Sequence, residues 1–236
     1  ASQFSNTNSN FSQVTFEVVD GYQTINPLSV TVDIVGNHDS VGYDGRTHRV
    51  TGYTATANSN LYSVTRNITF TGSAVASRVD VGTTNMNLSE DQFTNTNTNF
   101  DPVIFNITDG YQTIGRATAL VKADAKMKVF GTDDPALTAT VTGLYGQDAV
   151  QYTLSRATGE SVGLYVITPT GAEQQGNYTV QYDTALLTIT AADAVVVTIT
   201  GHTGSFPYDG EEHTVTGYDV STNNTLYTEA DFTFKS

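Results

Sequence analysis

Tyr43-Asp44-Gly45-Arg46-Thr47-His48-Arg49-Val50-Thr51-Gly52-Tyr53 returns later in the chain as Tyr208-Asp209-Gly210-Glu211-Glu212-His213-Thr214-Val215-Thr216-Gly217-Tyr218. Over the wider windows 36–53 and 201–218, 10 of 18 positions are identical. Self-similarity of this kind marks a chain built from repeated structural units. Each copy places a Gly after Tyr-Asp, where a turn needs φ > 0, and then a Val-Thr-Gly-Tyr run suited to a strand.

A second repeat lies around the first. Residues 3–25 match residues 92–114 at 15 of 23 positions, ending in Asp20-Gly21-Tyr22-Gln23-Thr24-Ile25 and Asp109-Gly110-Tyr111-Gln112-Thr113-Ile114. Val14–Val19 and Val103–Ile107 read as short β runs, each followed by an Asp-Gly turn and a closing strand. Residues 29–114 then form one complete unit. Ser29–Val35 alternates as a strand with one buried face, and His48–Thr56 reads as another strand. Ser89-Glu90-Asp91-Gln92 predicts a brief helical turn with Ser89 capping and acids in the first turn. The chain opens with the closing part of one repeat and ends with the opening part of another, the expectation for a segment of a longer protein.

Residues 116–193 read differently. Phe130-Gly131-Thr132-Asp133-Asp134-Pro135 is a loop, because Pro135 moves Asp134 out of the helical region. Leu137–Val141, Ala149–Leu154, Leu164–Thr168, Tyr178–Tyr182 and Leu186–Thr190 read as strands punctuated by glycines. The expected fold is all-β: tandem small antiparallel modules, an Ig-like sandwich or β-grasp-like sheet, arranged end to end in a rod. Nowhere is there a long segment of 3.6-residue period.

The Tyr-Asp-Gly…His-x-Val-Thr-Gly-Tyr unit resembles the YDG repeat domains of bacterial surface proteins. Residues 126–190 resemble the MBG domain of YGX type, through Lys128–Leu137, Val141-Thr142-Gly143-Leu144, Val162–Ile167 and Gly176-Asn177-Tyr178-Thr179-Val180. Phe130 stands where that pattern usually has Tyr. The expected division is 1–28, the closing part of a YDG-type repeat; 29–115, a complete one; 116–193, an MBG-type domain; and 194–236, the opening part of another YDG-type repeat. The resemblance implies a stalk or spacer segment of a large extracellular adhesin at the bacterial cell surface or cell wall. Its partners would be neighbouring modules of the same protein; separately, the incomplete repeats at the two ends allow either cut remnants of neighbouring modules or copies joined head to tail into a filament. The alternative is a module that itself binds a host glycan or protein.

Composition narrows the chemistry. With 24 acidic and 10 basic residues the formal charge is −14, a surface that repels nucleic-acid phosphates and anionic lipid. There is no Cys, so small domains here rely on packing and sheet hydrogen bonds rather than disulfides. No run approaches the 18 or so apolar residues of a membrane span.

No catalytic, cofactor-binding or metal-ligating residue is expected. His38, His48, His202 and His213 lack ligand spacing, and His48 and His213, at one repeat position, are expected to hydrogen-bond across the Tyr-Asp-Gly turn. Asp133-Asp134 lacks a calcium-loop pattern and is expected to bond to nearby backbone N–H groups. No nucleophile elbow appears. Among candidate cross-linking amines, Lys126 and Lys128 share one strand face, expected to be exposed. Tyr53, Tyr111 and Tyr218 are expected at core edges rather than as sugar-stacking platforms.

Overall fold

The computed structural model describes residues 2–235. They fall into two compact units, Ala1–Val41 with Arg46–Ile114, and Gly42–Gly45 with Gly115–Ser236. The class is all-β, with two single-turn 3-10 helices and no α-helix among the described residues. No helix there is long and apolar enough to cross a membrane.

The first unit contains β1 (Leu28–Gly36), β2 (His38–Gly42), β3 (His48–Thr51), β4 (Tyr53–Ala57), β5 (Ile68–Phe70), β6 (Val75–Arg78), β7 (Gly82–Asn85), β8 (Phe93–Asn95), β9 (Phe100–Thr108) and β10 (Tyr111–Gly115). Its sheets run β4-β1-β9 and β2-β10-β7, with two-stranded pairs β3-β6 and β5-β8. β1 is the hub. Val30, Val32 and Ile34 alternate inward and are almost fully buried, each worth about 1.5–3 kcal/mol of apolar transfer. Tyr62, Phe93, Phe100 and Phe105 close over them. Phe93 packs against Tyr53, Phe70 and Phe105 with ring centroids 4.9–5.8 Å apart, the spacing that suits aromatic quadrupoles.

The predicted strand over His48–Thr56 is broken at Gly52, φ +87°. β3 before it pairs with β6, and β4 after it pairs with β1. Asn37 holds the break: its side chain donates to Thr51 O at 2.8 Å, and its backbone N–H donates to Gly52 O at 3.0 Å. The predicted turn at Ser89 is a 3-10 helix, Glu90–Gln92. Ser89 N–H donates to Gln92 Oε1 at 3.1 Å, and its hydroxyl donates to Asp91.

The second unit contains β11 (Ala117–Ala123), β12 (Lys126–Val129), β13 (Ala139–Thr142), β14 (Thr153–Arg156), β15 (Gly163–Thr170), β16 (Gln174–Gln175), β17 (Tyr178–Asp183), β18 (Ala185–Thr190), β19 (Val197–Gly201) and β20 (Tyr218–Thr222). Two four-stranded sheets, β13-β11-β17-β16 and β12-β18-β15-β14, carry the core. Ala123, Ile167, Leu187 and Ile189 form its centre. β19 and β20 make a separate antiparallel pair.

Two expectations change. The modules are not purely antiparallel, for β1–β9, β11–β17 and β12–β18 are parallel. And residues 2–27 contain no strand, although their sequence repeats β8 to β10. A strand needs a partner for its backbone groups. β9 has β1, whereas Val14–Val19 has none.

Candidate functional site

Four constellations are built by this fold. The first is the pairing of opening and closing strands. β1 pairs with β9 in parallel at a constant offset from Val30↔Val103 through Val35↔Thr108. Past the sheet change, His38 at the start of β2 stacks on Tyr111 at the start of β10, ring centroids 5.1 Å apart. The offset from His38 to Tyr111 equals that from Val30 to Val103. The second unit repeats the device. β11 pairs with β17 from Ala117↔Tyr178, and β12 pairs with β18 from Lys126↔Leu187, again one offset shared by both sheets. In each unit a strand from the opening part of the fold lies parallel to a strand from its closing part: β1 with β9, β11 with β17 and β12 with β18. Tension on the two ends of a unit therefore pulls these neighbours in opposite directions along their length.

The second constellation is the repeated Asp-Gly-Tyr-Gln-Thr-Ile cassette. The Asp109 carboxylate accepts the N–H groups of Asn87 and Leu88, both at 3.0 Å, and fixes the turn where Asn87 has φ 59°. Gly110 lies against Gly36. A Cβ on Gly36 would come 2.2 Å from Gly110 N, and a Cβ on Gly110 would come 2.4 Å from Asn37 O. Gln112 is fully buried, its Nε2 donating to Thr113 O at 3.3 Å.

The third is the Tyr-Asp-Gly turn. Gly42–Gly45 belongs to the second unit, where Tyr43 is buried. Its hydroxyl donates to Asp148 Oδ2 at 2.8 Å, and the Tyr178 hydroxyl donates to the same oxygen at 2.7 Å. Tyr178 in turn accepts the Tyr145 N–H at 2.9 Å. The Tyr178 and Tyr43 hydroxyls hold the Asp148 carboxyl below its ordinary range, since both donate to its charged form. Burial pushes the Tyr178 hydroxyl up to about 12.

The fourth is a charged cluster on the second unit. Lys128 is buried at 7% exposure while its neighbour Met127 is 68% exposed. β12 thus turns its lysine inward, against the expectation of an exposed face. The reason is its partners: Lys128 Nζ pairs with Asp134 at 2.7 Å and with Glu160. Arg156 grips Asp134 through Nε at 2.5 Å and Nη2 at 3.1 Å, and reaches Glu160. Arg156, then Lys128, hold the Asp134 carboxyl down to about 2, and Asp134, then Glu160, raise the Lys128 amine above its ordinary value. Asp134 thus bonds to side-chain cations, not to the backbone N–H groups the sequence suggested.

The remaining candidates are scattered. His213 Nε2 donates to Asp209 Oδ1 at 2.9 Å across its Tyr-Asp-Gly turn, and its ring stacks on Phe206. His202 bridges Thr216 O and Asp219. Among the described residues no group of three or more His, Asp or Glu is placed to hold a metal. Tyr53 packs on Phe70 and Phe93, and Tyr218 on Phe234. The parallel strand pairs had no local sequence signal. Equal offsets between alternating runs in the two halves of a unit are the trace they leave.

Residues 119–188 match the family model of the MBG domain (YGX type). That segment runs from within β11 through most of β18, and it begins ahead of the resemblance read from the sequence over 126–190. MBG domains are typical of bacterial surface proteins. No curated protein and no solved structure matches the chain.

Proposed function

We propose that this chain is a mechanical stalk segment of a large bacterial surface adhesin, placed outside the cell and carrying tension between its ends. The observation that supports the reading is the parallel pairing of opening and closing strands in both units. Hydrogen bonds in such a pair share a pull along the strands, whereas a peeled pair breaks them one at a time. Each backbone bond contributes only about 0.5–1.5 kcal/mol net, so loading several together sets the resistance. The role is mechanical and calls on no catalytic group or cofactor. Its partners are neighbouring modules of the same kind.

The competing reading is a module that binds host glycan or protein. The open groove beside the Glu90–Gln92 turn, about 740 Å³, is lined by Glu90, Asp91 and Asp101. Its aromatic residues Phe93 and Phe105 are buried, so it offers no exposed ring on which a sugar would stack.

The test uses the absence of Cys. Cysteine handles at Pro27 and Arg116 pull the first unit end to end. Handles at Pro27 and Asn99, adjacent where Leu28 N–H donates to Asn99 O, peel β1 from β9. Single-molecule unfolding should need several times more force in the first geometry. Equal forces refute the stalk reading, and low-micromolar glycan binding by the full chain would favour its competitor.

A further inference from the structure

The two four-stranded sheets of the second unit each turn one face to the core, and their outer faces differ. On β15 Ile167 and Pro169 are buried, while Leu164 and Val166 stand on the other face. On β18 Leu187 and Ile189 are buried, while Leu186, Thr188 and Thr190 face out. On β12 Lys128 is buried between Met127 and Val129, which are exposed. The registers bring the outward residues together. Met127 and Leu164 both pair with Thr188, so the three form one row across three strands. Leu186 stands opposite Val166, and Val129 beside Thr190. Thr168 and Ser155 extend the face onto β14. None of these outward positions carries a charge.

The companion sheet shows what a solvated outer face looks like here. Its outward positions are Thr118, Leu120 and Lys122 on β11, Thr179, Gln181 and Asp183 on β17, and Thr140 and Thr142 on β13. Polar residues on the outer face are the rule for a sheet packed on one side only. The β12-β18-β15-β14 sheet breaks that rule with five aliphatic side chains, Met127, Val129, Leu164, Val166 and Leu186, between 41% and 68% exposed. Together they offer roughly 500 Å² of apolar surface, the size at which a patch marks an interaction site. With the hydroxyl residues between them the face approaches the ~800 Å² that each partner gives to a standard interface. The patch lies in the interior of the chain, within the family-matched domain and its last strand.

We infer that two copies of this chain pair laterally, each laying the outer face of its β12-β18-β15-β14 sheet on the same face of the other. Charge selects the occupant. Each copy carries −14, so copies repel one another over most approaches. This face brings no like charges together and leaves no ion stripped of water. It carries no aromatic ring for a sugar to stack on. Its aliphatic rows, separated by threonines, are self-complementary, and two such faces interdigitate as sheets do when packed about 10 Å apart. The same patch serves on both copies, so the contact closes at two. The remaining repulsion is screened by salt, and the pairing strengthens as salt rises. This goes beyond the stalk reading and does not need it. In the proposed stalk, it would set two chains side by side and divide a load between them.

The experiment is sedimentation velocity of the full chain over rising concentration, at low and physiological salt. A monomer–dimer equilibrium that stops at two copies is expected. Met127→Glu and Leu164→Glu should each weaken it at least about a hundredfold, since each buries an unpaired charge in both copies at once. Both side chains are mostly exposed in the single copy, so circular dichroism and the melting temperature of the monomer should hold. Gln181→Glu, on the polar outer face of the companion sheet, should leave the dimer as it was. A chain still monomeric at about 1 mM overturns the pairing. So does a dimer indifferent to both face glutamates, and so does a series that grows past two. The pulling experiment on the first unit acts within one chain held singly. A monomer that resists end-to-end force therefore keeps the stalk and loses the pairing.

Discussion

Gly36→Ala and Gly110→Ala should each unfold the first unit far more easily than their repeat counterparts affect anything. A Cβ on Gly36 would sit 2.2 Å from Gly110 N and 2.6 Å from Gly110 Cα. One on Gly110 would sit 2.4 Å from Asn37 O and 2.7 Å from Met86 Sδ. Ordinary contact needs more than an ångström of extra room. The obstructing atoms at Gly36 are backbone, which cannot rotate away. Relief requires the end of β1 to part from the Asp109-Gly110 turn, loosening the Asp109 bonds to Asn87 and Leu88 as well. Overpacking of this kind typically costs about 1–3 kcal/mol, and the rigidity here points to the upper end, about 3 kcal/mol. For a unit of this size that is a fall of roughly 12–24 °C in melting temperature. Tyrosine fluorescence and near-ultraviolet circular dichroism, at concentrations where the chain is monomeric, give the readout. Gly21→Ala and Gly201→Ala under the same conditions should be neutral or slightly stabilising, because Ala restricts the unfolded chain. A loss below about 0.5 kcal/mol for Gly36→Ala, or an equal loss at Gly201, would falsify the packing argument, given the roughly 1–3 kcal/mol expected.

Three further outcomes are expected. Asp134 has its carboxyl held at about 2 against 3.8 ordinarily; a depressed value adds stability above pH ~4 that is lost as pH falls through ~2, so melting temperature should drop steeply between those limits, and an unchanged midpoint over that range counts against the cluster. Lys128→Met leaves Asp134 and Glu160 to share Arg156 alone, so the second unit should melt earlier and the Asp134 carboxyl should titrate at higher pH, which carboxyl NMR would show. Tyr43→Phe removes one of two hydroxyls donating to Asp148, so that carboxyl should rise toward its usual value, while Thr153→Ala, which loses only an exposed hydroxyl contact to Thr170, should leave it unmoved.

Much of the fold was legible because its signals are local. The Val30-Val32-Ile34 alternation, the Ser89 turn and the Gly45 turn each depend on a few adjacent residues. Gly52 carries its information locally too, yet the strand around it reads as continuous, since only Asn37 and β6 reveal that the chain changes sheet there. Strand direction was not legible. β9 lies beside β1 with most of the unit's sequence between them, and nothing in either run says which way its neighbour points. Lys128 looks like a surface lysine because its partners come from positions 134 and 160, with Arg156 bracing both. The sharpest lesson is residues 3–25, where a sequence that folds as strands at 92–114 forms none, because pairing belongs to the partner as much as to the segment.

The distance in sequence between β1 and β9 has a kinetic side. β1 cannot find its parallel partner until the long stretch from β2 to β8 has closed around it, and contacts so remote form slowly compared with hairpins. In the proposed stalk, a unit opened by a sudden tug would hand its slack to the line at once but return it only after a long pause. What such a tether remembers of its recent history would then be set by how quickly β9 comes home.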